Sequence, residues 1–589
     1  MNRELALVVG QGAADLDLPN DVIVERVARD AVVLYSHPFE SHQLKSSDVG
    51  GGKVAISGMA VVDGSLVYPG KNERLLVGGP ESESWAVGSF LAFVVSKRGG
   101  QAYIRVINDL FGLTPIFECR HQGRLVIANS LDLAIRAARA LQIPLETDPI
   151  GVVSSMFSDA GIGLQVSTPR TPYSPIRLLP LAGDFDWCVD GVRVHYISQV
   201  ARAERIAGGA TADDYLHFLR LGTQDVIRTV DAVTRASCFD RHLVNITGGK
   251  DSRWVVAAIQ SLGNTDKWRG ITNGSEEDAD VRIGTGIAQL AGISYLDEPI
   301  GSVIPVGADD VLSMRQRFYR GTYHEIRTPT GRVQEGGFGR SVRLIGGCGE
   351  LYRGFYHRRF PVSDLDGPPT AEIIFKRLRE KAHRRAYQER MLVPFRELLR
   401  ECLISSGSSL SDALSRHYME FRHRLHIGYA GMWNSWMNPP TVNPLASPYL
   451  YVASRLLNRR EREGGRLVHD SVSMISGSLA EIEYDDIGWN SRWTSKPAVP
   501  APMSIDAWLG ANKRRANASA RPRPKRLGRE WPAALKAVEA AGWEALRDHD
   551  LANEINVSEL ESHVAALVDK NRRLYRVWVS RLAMFTDLP

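Results

Sequence analysis

From the N-terminus to about Tyr196, apolar positions alternate with polar ones in short runs broken by glycines, the period of half-buried strands. Runs at 54–56 and 65–67 flank Gly64, and runs at 90–95 and 103–107 flank Arg98, Gly99 and Gly100, a spacing that predicts hairpins. A strand is expected at 125–127 and a helix over 131–141. Two sheets packed face to face are the economical architecture for such a stretch. Beyond about Ala203 the period lengthens. Helical patterns over 213–220 and 226–232 precede a strand at 242–246, a helix from 254, a strand at 268–272 and a helix over 278–291. In that last helix Ile283, Ile287, Leu290 and Ala291 share one face. A strand at 293–296, a helix over 309–318 and a strand at 342–345 continue the alternation, which predicts a parallel sheet with right-handed crossovers. Residues 371–402 read as a long helix with a solvated basic face. The chain closes with a helix opened by a capping box at Ser558 and Glu561, with Leu560, Val564, Leu567, Leu574, Trp578 and Leu582 on its core-facing stripe. The expected organisation is an α+β domain over 1–200 and an α/β domain over 201–510. A basic linker and helices over 511–589 would pack on the second domain.

Composition adds limits. At 589 residues, 44% hydrophobic and 24% charged, the chain has the make-up of a globular protein with two or three domains. Its net charge of +5 is local, because eight basic residues and no acid lie between Lys513 and Arg529. That stretch has two prolines and no interleaved aromatics, so a solvated linker is expected and a nucleic-acid partner is not. A patch that attracts an anionic partner or covers a nucleotide is the alternative. The five cysteines are scattered without CxxC spacing, suggesting neither zinc nor a disulfide framework, and a reducing cytoplasm is the expected location. The apolar run at 5–9 is too short for a signal peptide, and no segment is long enough to cross a bilayer.

Pattern meets chemistry at residues 242–253. Apolar alternation runs through Ile246 into Thr247, Gly248, Gly249, Lys250, Asp251, Ser252 and Arg253, and the helical run 254–259 follows. Adjacent glycines let the backbone turn so that N–H groups converge at a helix N-terminus, a nest suited to phosphate. Thr247 and Ser252 add hydroxyls, Lys250 a positive charge, and Asp251 a carboxylate for the Mg2+ that accompanies nucleotide phosphates. The spacing is neither the GxxxxGK[ST] loop nor GxGxxG. Parallel sheets bind nucleotides at strand carboxyl ends, which gathers residues 247–252, 272–274 and 346–350 around one crevice. The adenine is expected near Ile271 and Thr272.

Residues 247–252 resemble the SGGxDS loop of enzymes that cleave ATP between its α and β phosphates, with Thr247 in place of the first serine. Over nearly the whole chain the likeness is to the asparagine-synthetase-like enzymes. That family writes R-D-x-F-G-x-x-P-L and then A-S-E-L. Here 108–116 read Asn-Asp-Leu-Phe-Gly-Leu-Thr-Pro-Ile and 128–131 read Ala-Asn-Ser-Leu. The family's Pro-Gly turn leading to a strand has a likeness in 179–183, followed by 194–196. Its second signature, G-x-G-x-D-E-x-F-x-G-Y, resembles 346–354, with Glu350 at the glutamate, Tyr352 at the aromatic and Gly354 at the late glycine. Gly349 stands where an aspartate is usual. Residues 443–450 resemble R-x-P-F-L-D without its aspartate. In the active glutaminases of this family a cysteine after the initiator methionine is the nucleophile. Here Asn2 holds that position and no cysteine precedes Cys119, so the front domain is expected to be a scaffold inert towards glutamine.

The resemblance implies a two-sheet glutaminase-like sandwich followed by a parallel-sheet ATP-pyrophosphatase domain with a helical C-terminal extension. It implies a ligase that adenylates a carboxylate with ATP and Mg2+, releasing pyrophosphate, before an amine attacks to form an amide. Ile246, Thr247, Gly248, Gly249, Lys250, Asp251, Ser252, Thr272 and Gly347 would hold the nucleotide, and Asp251 and Glu350 the metal. Lys496, with Arg492 as the fallback, would stabilise the oxyanion. Glu350, Tyr352 or the His324 and Glu325 pair would take the amine proton. Without a glutaminase the amine comes with the substrate, as in the β-lactam-forming synthetases and the lasso peptide macrolactam cyclases. The extended C-terminal part favours the cyclases, with a leader-peptide protease or recognition protein as partner. Ligation of two small molecules is next. Sulfur or lysine transfer to tRNA and a non-catalytic scaffold stay open.

Overall fold

The computed structural model describes residues 4–19, 21–36, 47–49, 52–77, 85–156, 166–272, 278–296, 303–305, 312–313, 316, 320, 332–334, 340–357, 360–370, 386–404, 409–428, 439–484, 532–570 and 572–589. Alternation builds the front half. In the strand Glu4–Val9, Leu5, Leu7 and Val9 join one core and Ala6 and Val8 another, and all five are fully buried. This strand lies between Arg124–Ala128 and Ala31–Ser36 in a six-stranded antiparallel sheet completed by Phe117–His121, Ile176–Leu178 and Val22–Ala28. The facing sheet runs Phe185–Val189, Val192–Tyr196, Gln101–Asn108, Ala86–Arg98, Gly52–Val62 and Ser47–Val49, with Ser65–Val67 also paired to Gly52–Val62. One pair in it, Val192–Tyr196 with Gln101–Asn108, is parallel. Leu7, Leu91, Phe93, Val106, Ile127 and Val194 fill the space between the sheets. Gly99 and Gly100, at φ 57° and 82°, make the two-residue turn expected of them.

The second half holds a five-stranded sheet, parallel throughout, in the spatial order Ser294–Tyr295, Trp268–Ile271, Arg241–Asn245, Ser341–Leu344, Thr441–Val442. The winding reverses between Arg241–Asn245 and Ser341–Leu344, the switch point where the carboxyl ends of such sheets open a crevice. The two short helices expected between 213 and 232 are one, Tyr215–Arg235. Gly222 does not break it. A Cβ there would stand 2.5 Å from the Leu450 side chain, so the glycine lets the helix Pro448–Leu456 come close.

The C-terminal part differs from expectation in two ways. Its last stripe forms two helices, Val557–Lys570 and Arg572–Phe585, and the first is capped by Asn556, whose side chain accepts from the Glu559 amide at 3.1 Å, rather than by Ser558. Leu560, Val564, Trp578 and Leu582 share a core with Leu392 and Phe395 of Glu389–Ile404, inside the second domain where they were expected to pack, but also with Val152, Val153 and Met156 of the front half, which was not expected. The outer face of the six-stranded sheet (Ala6, Val8, Val126, Ala128) is apolar and needs this cover. The helix expected at 309–318 falls mostly outside the described residues. So do 371–385 and the basic stretch 513–529. Among the described residues no helix is long and apolar enough to cross a membrane.

Candidate functional site

The strand Arg241–Asn245 ends in the loop 246–249, and Gly249 precedes the helix Lys250–Ser261. The loop holds itself in shape. The Ile246 amide donates to the Ile271 carbonyl at 3.0 Å and the Thr247 amide to the Ser252 hydroxyl at 3.2 Å. The Gly248 amide donates to the Asp280 carboxylate at 2.9 Å, and the Gly249 amide to the Thr247 hydroxyl at 3.2 Å. The nest expected from the two glycines is therefore drawn inward, each of these amides meeting an oxygen of the protein. The Thr247 and Ser252 hydroxyls lie 3.0 Å apart, and Lys250, 6% exposed, opens the helix beside them. Gly248 packs on Ile283. The Thr272 hydroxyl donates to the Ile246 carbonyl and lies 3.0 Å from the Tyr295 hydroxyl, so it braces the loop.

Across the switch point, the strand Ser341–Leu344 runs into a 3-10 turn, Gly347–Tyr352. Its glycines let it touch the loop helix. A Cβ on Gly346 would stand 2.5 Å from the Asp251 backbone, and one on Gly349 would stand 2.2 Å from the Asp251 Oδ1. Gly347 lies against Ile427. The Asp251 carboxylate accepts from Arg353, and the Glu350 carboxylate accepts from the Tyr418 hydroxyl. Tyr352 points away from this chemistry. It is 1% exposed, its hydroxyl donates to the Leu445 carbonyl, and burial pushes its phenol well above the ordinary value. Its position is that of a packing residue, not of the base expected for it.

Three groups to which the sequence pattern gave no role at the site hold these pieces. Arg253, fully buried, donates to the Leu479, Ile482 and Glu483 carbonyls at 3.0, 2.7 and 2.6 Å, with its guanidinium 3.5 Å above the Tyr484 ring. It ties the loop helix to the segment that leads into 485–500. Between the helical turns Leu410–His417 and 424–428 runs a π-helix, Tyr418–His423, and the same segment grips the signature twice, through Tyr418 on Glu350 and His423 on the Gly347 carbonyl at 3.3 Å. Phe111 of the front half inserts edge-on between Tyr352, His423 and Tyr451, with centroid distances of 6.3, 5.9 and 5.9 Å. No spacing rule marks Arg253 or the π-helix. Phe111 stood in the motif at 108–116, but its partner was not legible.

As arranged, these donors do not fit a resident divalent ion. Of the carboxylate positions the motif offers, 349 is a glycine, Asp251 is paired with Arg353 and Glu350 is engaged by Tyr418. Among the described residues no group of three or more His, Cys, Asp or Glu is placed to hold a metal. Lys496, Arg492, His324 and Glu325 lie outside the described residues. Among the described residues no cysteine forms a disulfide. The front half has Cys119, buried mid-strand with its thiol pushed up to about 12 by burial, and Cys188, exposed on Phe185–Val189. No family model matches the chain, and no curated protein matches it.

Proposed function

We propose that the protein activates a carboxylate with ATP and passes the acyl group to an amine. The carboxylate oxygen attacks the α-phosphorus, pyrophosphate leaves, the amine nitrogen attacks the acyl carbon, and AMP and one proton leave as the amide forms. One observation carries the reading. The Thr-Gly-Gly-Lys-Asp-Ser turn and the glycine-rich segment ending in Arg353 meet at the one place where the parallel sheet reverses its winding. Lys250, with the Thr247 and Ser252 hydroxyls, is assigned to the phosphates, and Mg2+ enters with ATP as part of the substrate. Glu350, oriented by Tyr418, is assigned the amine proton, and Lys496, with Arg492 as the alternative, the oxyanion.

A front half whose two cysteines are a buried thiol and an exposed strand residue supports an amine supplied by the substrate itself. Ring closure within a peptide, of the lasso macrolactam type, is the reading we favour, in a reducing compartment. Intermolecular ligation, including β-lactam-type chemistry, is its competitor. Incubating the full chain with Mg-ATP and pools of peptides or small acids, and reading AMP and masses, tests it. AMP with loss of one water from a single peptide supports cyclisation, and a joined product supports ligation. No AMP with any acid overturns the proposal.

A further inference from the structure

Because Gly349 has no side chain, the Asp251 carboxylate lies against it, and a Cβ there would sit 2.4 Å from the Asp251 Cγ. Arg353 reaches the same place. Its Nη2 donates to Asp251 and its Nε to the Gly349 carbonyl at 3.4 Å, which fixes one edge of the guanidinium. Its Nη1 has no partner among the described residues, and 22% of the side chain is open to solvent. Charges decide what this arrangement can bind. Around the loop, Lys250 and Arg353 face the carboxylates of Asp251, Glu350 and Asp280, so loss of Arg353 makes the cluster more negative and less able to receive a triphosphate. An aspartate at 349 would add a further negative charge, and only a bound cation could offset it.

We infer that Arg353, held in place by Asp251, receives the pyrophosphate end of the nucleotide, a fixed cation where the motif otherwise sets a third carboxylate and its metal. This rests on the adenylation reading above. A planar fork with one edge anchored presents the other to two phosphate oxygens at little further entropic cost. Asp251 is then a positioning residue for Arg353.

The test is calorimetric titration of the full chain with ATP, pyrophosphate and AMP, with Mg2+ present and with it chelated. Arg353→Ala is expected to weaken ATP and pyrophosphate at least about tenfold and to leave AMP unchanged. Arg353→Lys keeps charge without the fork and should recover only part of the loss, which also controls for misfolding of the alanine variant. In the wild type, chelating Mg2+ should cost less pyrophosphate affinity than removing Arg353. Unchanged ATP and pyrophosphate binding in Arg353→Ala overturns the inference but spares the adenylation reading. So does an equal loss of AMP, or wild-type pyrophosphate binding that vanishes on chelation. A wild type that binds none of the three overturns both.

Discussion

The family that this segment resembles has an aspartate where Gly349 stands, and the structure predicts that introducing one here harms the site. An ideal Cβ at 349 falls 2.2 Å from the Asp251 Oδ1, well inside the 3.0 Å that real contacts respect, so Asp251 must swing away from Gly349 and from Arg353. The new carboxylate then sits beside the old one. Two such charges about 4 Å apart repel by roughly 4 kcal/mol at an effective dielectric near 20. Arg353 shared between them returns part, and the pair is 17–22% exposed, so screening takes more. A net loss of about 2 kcal/mol remains, roughly thirtyfold in an equilibrium. Gly349→Ala carries the steric part alone, so stability by urea midpoint should fall in the order wild type, alanine, aspartate, and ATP affinity with it. The like charge raises the folded-state pKa of the added carboxyl above its unfolded value. Its penalty therefore holds above that raised pKa and is relieved as pH falls through it, narrowing the gap for Gly349→Asp but not for Gly349→Ala. If Gly349→Asp proves as stable as wild type and binds ATP as tightly or better, the Asp251–Arg353 pair is not what occupies this position.

Phe111→Ala should cost about 3–5 kcal/mol, because a fully buried ring with three edge contacts leaves a cavity at the seam. A urea-midpoint loss under about 1 kcal/mol would contradict its role as the knob between the halves. Tyr352→Phe removes one bond to the Leu445 carbonyl and should cost about 1 kcal/mol while AMP formation stays within a few-fold. Turnover lost at full stability would return the phenol to the chemistry. His417 and His423 are lowered by burial to about 4 and about 3, so the folded protein binds fewer protons than the unfolded chain. Their contribution is complete above about pH 6.5 and is lost as pH falls towards 4, by several kcal/mol. Asp109, raised to about 7 by burial, works the other way, so a flatter acid limb in His423→Gln, measured against wild type, isolates the histidine effect.

What the chain made legible was whatever a change of period announces. The loop 246–249 could be found because two glycines separate a strand period from a helix period, and the helix Ala279–Ala291 because its apolar face repeats cleanly. Arg253 was hidden for the opposite reason. A cation in the first turn of a helix reads as solvated, and only tertiary structure supplies the three carbonyls and the ring that bury it. The stripe at 557–585 showed that one face is covered but not by what: besides the expected contact with the second domain, at Glu389–Ile404, it meets the front half. Gly349 could be read as a lost carboxylate. That Arg353, four residues on, meets the carboxylate left behind depends on the 3-10 turn between them.

The front half keeps a physical task at this site. Arg424 lies just beyond the π-helix, 1% exposed, and donates to the Leu179 carbonyl at 2.8 Å, with Glu420 3.7 Å away. Glu420 accepts from the Leu181 amide at 2.9 Å and from the Ala182 amide at 3.2 Å. Asp109 accepts from the Leu113 and Thr114 amides at 2.8 and 2.9 Å, tightening the turn that carries Phe111. A Cβ on Gly428 would stand 2.0 Å from the Leu113 carbonyl, so the helix end runs directly over that turn. These are charges and amides withdrawn from water at a domain seam. Removing one partner strands the others, which for buried pairs costs about 3–5 kcal/mol. The segment anchored this way carries Tyr418 on Glu350 and His423 on Gly347. The turns of the sandwich thus hold the helix that holds the signature.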